Sequence, residues 1–106
     1  AALPPLLQAL VQLLIRIDNL REQLELYPEV PCRIEDMAAI TFTSKYNLIR
    51  TFKQEVGLTP HQFQIQNRVR KAQKLLNSSA SIAEVALATG FLTKATLSGV
   101  LKKSLD

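Results

Sequence analysis

Residues 34–57, IEDMAAITFTSKYNLIRTFKQEVG, hold two helical patterns separated by a short turn. IEDMAAI (34–40) carries apolar residues on one side, TFTS turns the chain, and a second helix is expected over about 44–56. Gly57 is its expected C-terminal stop. Within that second helix Leu48, Phe52 and Val56 recur at four-residue spacing and can pack inward. Tyr46, Ile49, Arg50 and Lys53 share a sector about 100° wide at roughly 100° per residue. A helix held by one face and showing an aromatic, a β-branched side chain and two cations on another is equipped to meet something.

Downstream, Thr59-Pro60-His61-Gln62 supplies an N-cap, a proline at the first helical position and a glutamine three residues past the cap. The helix so started should run to about Leu76, with Phe63, Val69, Ala72, Leu75 and Leu76 against the core. NSSAS (77–81) is a loop, and Ser81-Ile82-Ala83-Glu84 is a second capping box opening a short helix to about Ala88. Thr89-Gly90 turns the chain, and a last helix is expected from about Thr93. The order short helix, turn, longer helix thus occurs twice, with a period of about 48 residues. Ile34 pairs with Ile82, Asp36 with Glu84, Met37 with Val85 and Ala38 with Ala86. After one extra residue in the second turn, Leu48 pairs with Leu97 and Lys53 with Lys102. A small residue in the first helix (Ala38, Ala86) lets two helices cross closely, which describes a helix-turn-helix.

The chain before this repeat is different. Pro4 and Pro5 suit a first helical turn, and no breaker follows until Pro28. Leu3, Leu6, Leu10, Leu13, Ile17, Leu20, Leu24 and Tyr27 alternate three- and four-residue steps. Either this helix packs along its own domain, or its first half, apolar also at Leu7, Val11, Leu14 and Ile15, is built for another chain or an upstream domain. The opening Ala in place of Met fits a fragment or processed form of something longer.

With 47% hydrophobic and 21% charged residues among 106, the chain should bury one core. Three glycines and no alternating β-branched run point to an all-helical fold. One cysteine, Cys32, and one histidine, His61, allow neither a disulfide framework nor a Cys/His zinc cluster. No cofactor is expected. No apolar run reaches membrane-spanning length and no signal-peptide pattern opens the chain, so a cytoplasmic setting without a membrane partner is expected. The net charge of +4 is unevenly divided. Residues 1–32 carry two arginines against four acids, a net of −2, whereas residues 33–106 carry eleven Lys and Arg against five acids, a net of +6. A basic C-terminal two-thirds points to a polyanion. Nucleophile–base pairs, metal spacings and phosphate-binding glycine loops are absent, so an enzyme is not expected.

The run Ala38…Ser44…Leu48…Phe52-Lys53…Gly57…Thr59-Pro60…Phe63…Arg68…Ala72…Leu75-Leu76, followed by Ser81-Ile82-Ala83-Glu84-Val85-Ala86…Gly90-Phe91…Leu97, resembles the DNA-binding domain of AraC/XylS-type bacterial transcription regulators. The resemblance covers residues 33–105. It implies two helix-turn-helix subdomains (15–57 and 78–106) joined by a linker helix (58–77), with residues 1–14 as a linker or interdomain or dimerisation helix. Each second helix would enter the major groove, the two insertions falling in successive turns of double-stranded DNA, about 34 Å apart. An activator that also touches RNA polymerase is the usual family pattern, with a homodimer formed through the N-terminal helix or an upstream domain.

On that resemblance the base-reading positions are Lys45, Tyr46, Ile49 and Arg50, with Ser44 and Lys53 on phosphate. The second unit offers Lys94, Ala95 and Thr96 to bases and Thr93, Lys102 and Lys103 to phosphates. Gly99 stands where a long polar side chain is common, so the first unit should do most of the reading. Arg68 is expected to be structural, and Arg70, Lys71 and Lys74 to be ion-pair partners or solvated surface. Phe42 replaces a frequent turn glycine, from which a core position and a turn without positive φ are expected. The sequence ends at Asp106, before the family's last helix, from which a truncated second subdomain is expected. The alternative is a protein-interaction module that kept the fold but lost specific DNA binding.

Overall fold

The computed structural model describes residues 2–78 and 80–91. Five helices and no strand occur among them: α1 (Pro5–Leu26), α2 (Ile34–Thr41), α3 (Lys45–Val56), α4 (Pro60–Leu76) and α5 (Ile82–Ala88). The expected all-α order is therefore present. The last helix expected from the sequence, with Thr93, Lys94, Ala95, Thr96, Gly99, Lys102 and Lys103, falls outside the described residues.

Local chemistry sets each boundary. Ser44 Oγ accepts the Asn47 amide at 3.1 Å at the start of α3, and Gly57 ends that helix at φ 92°. Thr59 and Gln62 exchange both capping-box bonds at the start of α4, at 3.2 and 3.1 Å. Ser81 accepts the Glu84 amide at 3.2 Å, which is one half of the box expected there.

Two cores form. The first buries Ile17, Leu20 and Leu24 of α1 against Met37 and Ala38 of α2, Leu48 and Phe52 of α3 and Phe63 of α4. The Phe52 and Phe63 rings meet edge to face, with centroids 5.6 Å apart. The second packs Val69 and Ala72 of α4 against Val85, Ala86 and Phe91, with Leu75 and Leu76 at its margin. α4 thus contributes to both cores and joins them. The packing of α1 begins at Leu13; Leu3, Leu6, Leu7, Leu10 and Val11 are exposed. From Leu13 onward the helix packs along its own domain, and its first half leaves its apolar side chains exposed.

The repeat extends further in space than the pairs read from sequence. Thr41 and Thr89 are 48 positions apart and fully buried, and each hydroxyl donates to the carbonyl four residues back, at 2.8 and 2.7 Å. Two residues later the amides of Thr43 and Phe91 donate to Ala38 and Ala86 at 3.1 and 3.0 Å. Between them stand Phe42 (φ 54°) and Gly90 (φ 83°). The expectation of a buried Phe42 in a turn without positive φ is therefore wrong. The helix-ending bonds on either side impose a left-handed residue at this position in both copies, whatever side chain it carries. Because Thr41 already fills the inward position, Phe42 points out, 79% exposed, under the Arg16 guanidinium at 4.7 Å from the ring centroid.

Candidate nucleic-acid interface

Leu48 and Phe52, with no exposed surface, anchor α3 in the first core and leave its opposite face to solvent. Tyr46 is 77% and Ile49 38% exposed, and Arg50 and Lys53 are exposed beside them. All four lie on one face, as the spacing predicts. Among the described residues neither Arg50 nor Lys53 has an ion-pair partner. Lys45 is different: its Nζ lies 3.4 Å from Glu35 Oε1 of α2, both side chains being more than half exposed. The Glu35 carboxyl is held below its ordinary value by a backbone hydrogen bond and then by Lys45. Such an exposed, solvent-screened pair opens readily toward a stronger anion.

The amino end of α3 suits negative charge. No acid occupies its first turn, and the Ser44 oxygen takes the Asn47 amide, leaving the amides of Lys45 and Tyr46 outside the helix's own bonding. Ser44 accepts in that bond, so its O–H proton remains available for a phosphate oxygen. Sequence reasoning missed Phe42 and Arg16, which flank this end of α3 as a stacked aromatic–cation pair. The signal was present as Gly90 at the matching position of the repeat, a sign that the turn is left-handed.

The basic residues of α4 divide into two sets. Arg68 Nε donates to the Pro28 carbonyl at 2.6 Å, and Lys71 Nζ to Glu29 Oε2 at 2.9 Å, so both tie α4 to the connection between α1 and α2. Burial pushes the Arg68 guanidinium below its ordinary value, an effect that the Glu29 charge only partly offsets. Arg70 and Lys74 are exposed. His61 sits exposed in the first turn of α4. No group of His, Cys, Asp and Glu that could hold a metal occurs among the described residues, and no described helix is long and apolar enough to cross a membrane.

A sequence family described as a helix-turn-helix domain matches residues 37–105. This chain belongs to the AraC-type helix-turn-helix family. The relatives it matches are named as transcriptional regulators. The transcriptional regulator MtrA of Neisseria gonorrhoeae is 34% identical over 89 residues, which are 83% of this chain and 30% of MtrA. The probable regulator LumQ of Photobacterium leiognathi is 23% identical over 91 residues, 85% of this chain and 36% of LumQ. The AraC-type unit thus spans about a third of the length of these curated relatives. Among solved structures, the DNA-binding domain of the global transcriptional factor AdpA, in complex with a target DNA, superposes with a TM-score of 0.76 at 32% identity, covering 85% of this chain and 82% of that one.

Proposed function

We propose that this chain binds double-stranded DNA sequence-specifically within a transcription regulator, with α3 in the major groove and the segment that follows α5 in the next. The observation that carries this reading is the α3 face: Tyr46, Ile49, Arg50 and Lys53 exposed together on a helix fixed by Leu48 and Phe52. Arg50 has the fork geometry to meet guanine O6 and N7, and Ile49 and Tyr46 can press on thymine methyls or sugars. Lys45 joins them after leaving Glu35, while Ser44, the free amides and Lys53 hold phosphates. The DNA-bound state of AdpA, at 32% identity, supports the reading. In the second unit Lys94, Ala95 and Thr96 take base positions and Thr93, Lys102 and Lys103 take phosphates, with the first unit dominant. Activation through contact with RNA polymerase in the cytoplasm completes the assignment. Selection of bound duplexes from a random pool tests it: an enriched motif with binding that weakens steeply with salt is expected. An unenriched pool at moderate salt would refute specific reading.

The division into subdomains 15–57 and 78–106, linker helix 58–77 and interdomain or dimerisation helix 1–14 belongs to the same proposal. The bare apolar surface of Leu3, Leu6, Leu7, Leu10 and Val11 supports the last part and also favours a second reading, a protein-interaction module. Sedimentation of the chain with and without residues 1–14 separates the cases. Concentration-dependent association lost on truncation is expected, and monomeric behaviour of both forms would argue against self-association.

A further inference from the structure

Away from α3, a cavity of about 440 Å³ opens between the start of α2 and the first half of α4, within the size range of small-molecule sites. Its apolar lining includes Cys32, Ile34 and Met37, and its polar lining includes Arg33, His61 and Arg68. Among the described residues no carboxylate lines it. Asp36, whose charge is felt by the Cys32 thiol, is tied to the Arg33 amide at 3.2 Å, and Glu29 is engaged by Lys71 at 2.9 Å. Arg68 spends Nε on the Pro28 carbonyl, so its two terminal nitrogens are left to face other partners in a half-buried setting. An apolar floor with a cationic rim is a poor site for a bare phosphate, which needs donors on every side, and a good one for a ligand with an apolar body and one negative end.

We propose that this cavity binds a small amphipathic carboxylate, its apolar body on Cys32, Ile34 and Met37 and its carboxylate among Arg33, His61 and Arg68. The site goes beyond DNA binding and needs no DNA to be present. Its position also matters, because the Arg68 guanidinium packs within about 3 Å of where a side chain on Gly90 would begin. The ligand would therefore sit against the residue that touches both helix-turn-helix units.

The test is an NMR titration of the chain, without DNA, using 2-naphthoate, its neutral counterpart 2-naphthamide and inorganic phosphate. Saturable shifts centred on the Met37 methyl are expected with 2-naphthoate, and binding roughly tenfold weaker with 2-naphthamide, the loss of one charge-assisted contact. Arg68 is left intact because it holds Pro28. Arg33→Gln with His61→Gln, both at exposed positions, should weaken 2-naphthoate several-fold and leave 2-naphthamide unchanged. Equal binding of the two probes, or 2-naphthoate binding that survives the double substitution, would overturn the proposal. So would displacement by phosphate at equal concentration, or shifts that gather on Leu6, Leu7 and Leu10 instead.

Discussion

Phe42 and Gly90 are one backbone position met twice, and the different side chains there have different energetic consequences. A non-glycine residue held at φ 54° carries strain of about 1 kcal/mol or more. For Phe42 this is offset by the Arg16 contact, worth about 0.5–1 kcal/mol at an exposed site. Phe42→Ala keeps the strain and loses the contact, whereas Phe42→Gly loses both. The glycine variant should therefore be the more stable of the two by about 1 kcal/mol in urea unfolding. At Gly90 the left-handed conformation is joined by crowding: a Cβ would lie 2.7 Å from the Glu29 carbonyl oxygen, a backbone atom that cannot swing aside. Gly57, at φ 92°, has nothing within 4 Å of such a Cβ. Gly57→Ala should cost about 1 kcal/mol and Gly90→Ala at least about 2 kcal/mol by the same measurement.

At the scale of elements, helix identity was legible because caps and periodicity agree. Ser44, Gly57, Thr59 with Gln62, and Ser81 each mark a boundary that forms where the residue types require it. The buried and exposed faces of α3 followed from four-residue spacing alone, since Leu48 and Phe52 leave the helix only one way to sit. The Lys45–Glu35 and Arg16–Phe42 contacts were not legible. They join residues 10 and 26 positions apart across a crossing whose angle no local pattern specifies. The α3 face yields a discriminating prediction. Arg50→Ala should relax preference at one base position by about 1–3 kcal/mol. Lys53→Ala should weaken all duplexes about equally and lower the salt slope by about one. Competition binding against single-base variants, repeated at several salt concentrations, checks both.

For the whole molecule, the connection between α1 and α2 is the point where separate parts meet. Pro28 accepts from Arg68, Glu29 pairs with Lys71, and the Glu29 carbonyl presses on Gly90. The sequence marked Arg68 as structural but not its partner, because a carbonyl acceptor 40 residues away leaves no trace in residue type. Lys71 holds the Glu29 carboxyl below its ordinary value near 4.5. The stability this contributes is full above that value and is lost as pH falls through the lower folded one. Both side chains are about a third exposed, so the effect should not exceed about 1 kcal/mol. Chemical unfolding at about pH 6 and about pH 3 should show a smaller drop for Glu29→Gln than for the parent chain.

If both units read DNA as proposed, α4 has one further consequence, for the phasing of the target. A helix advances about 1.5 Å and turns about 100° with each residue. The 17 residues of α4 therefore act as a ruler and a dial, setting both the distance and the bearing of the second unit relative to the first. Arg68 and Gly90 lock the dial at one reading. One residue inserted after Arg68 would lengthen the ruler by a fraction of a base pair but swing the second unit by more than a quarter turn. No change in the separation of two DNA half-sites could follow that motion. On the proposed reading of DNA by both units, the helical phase between half-sites is written in the covalent length of a single protein helix.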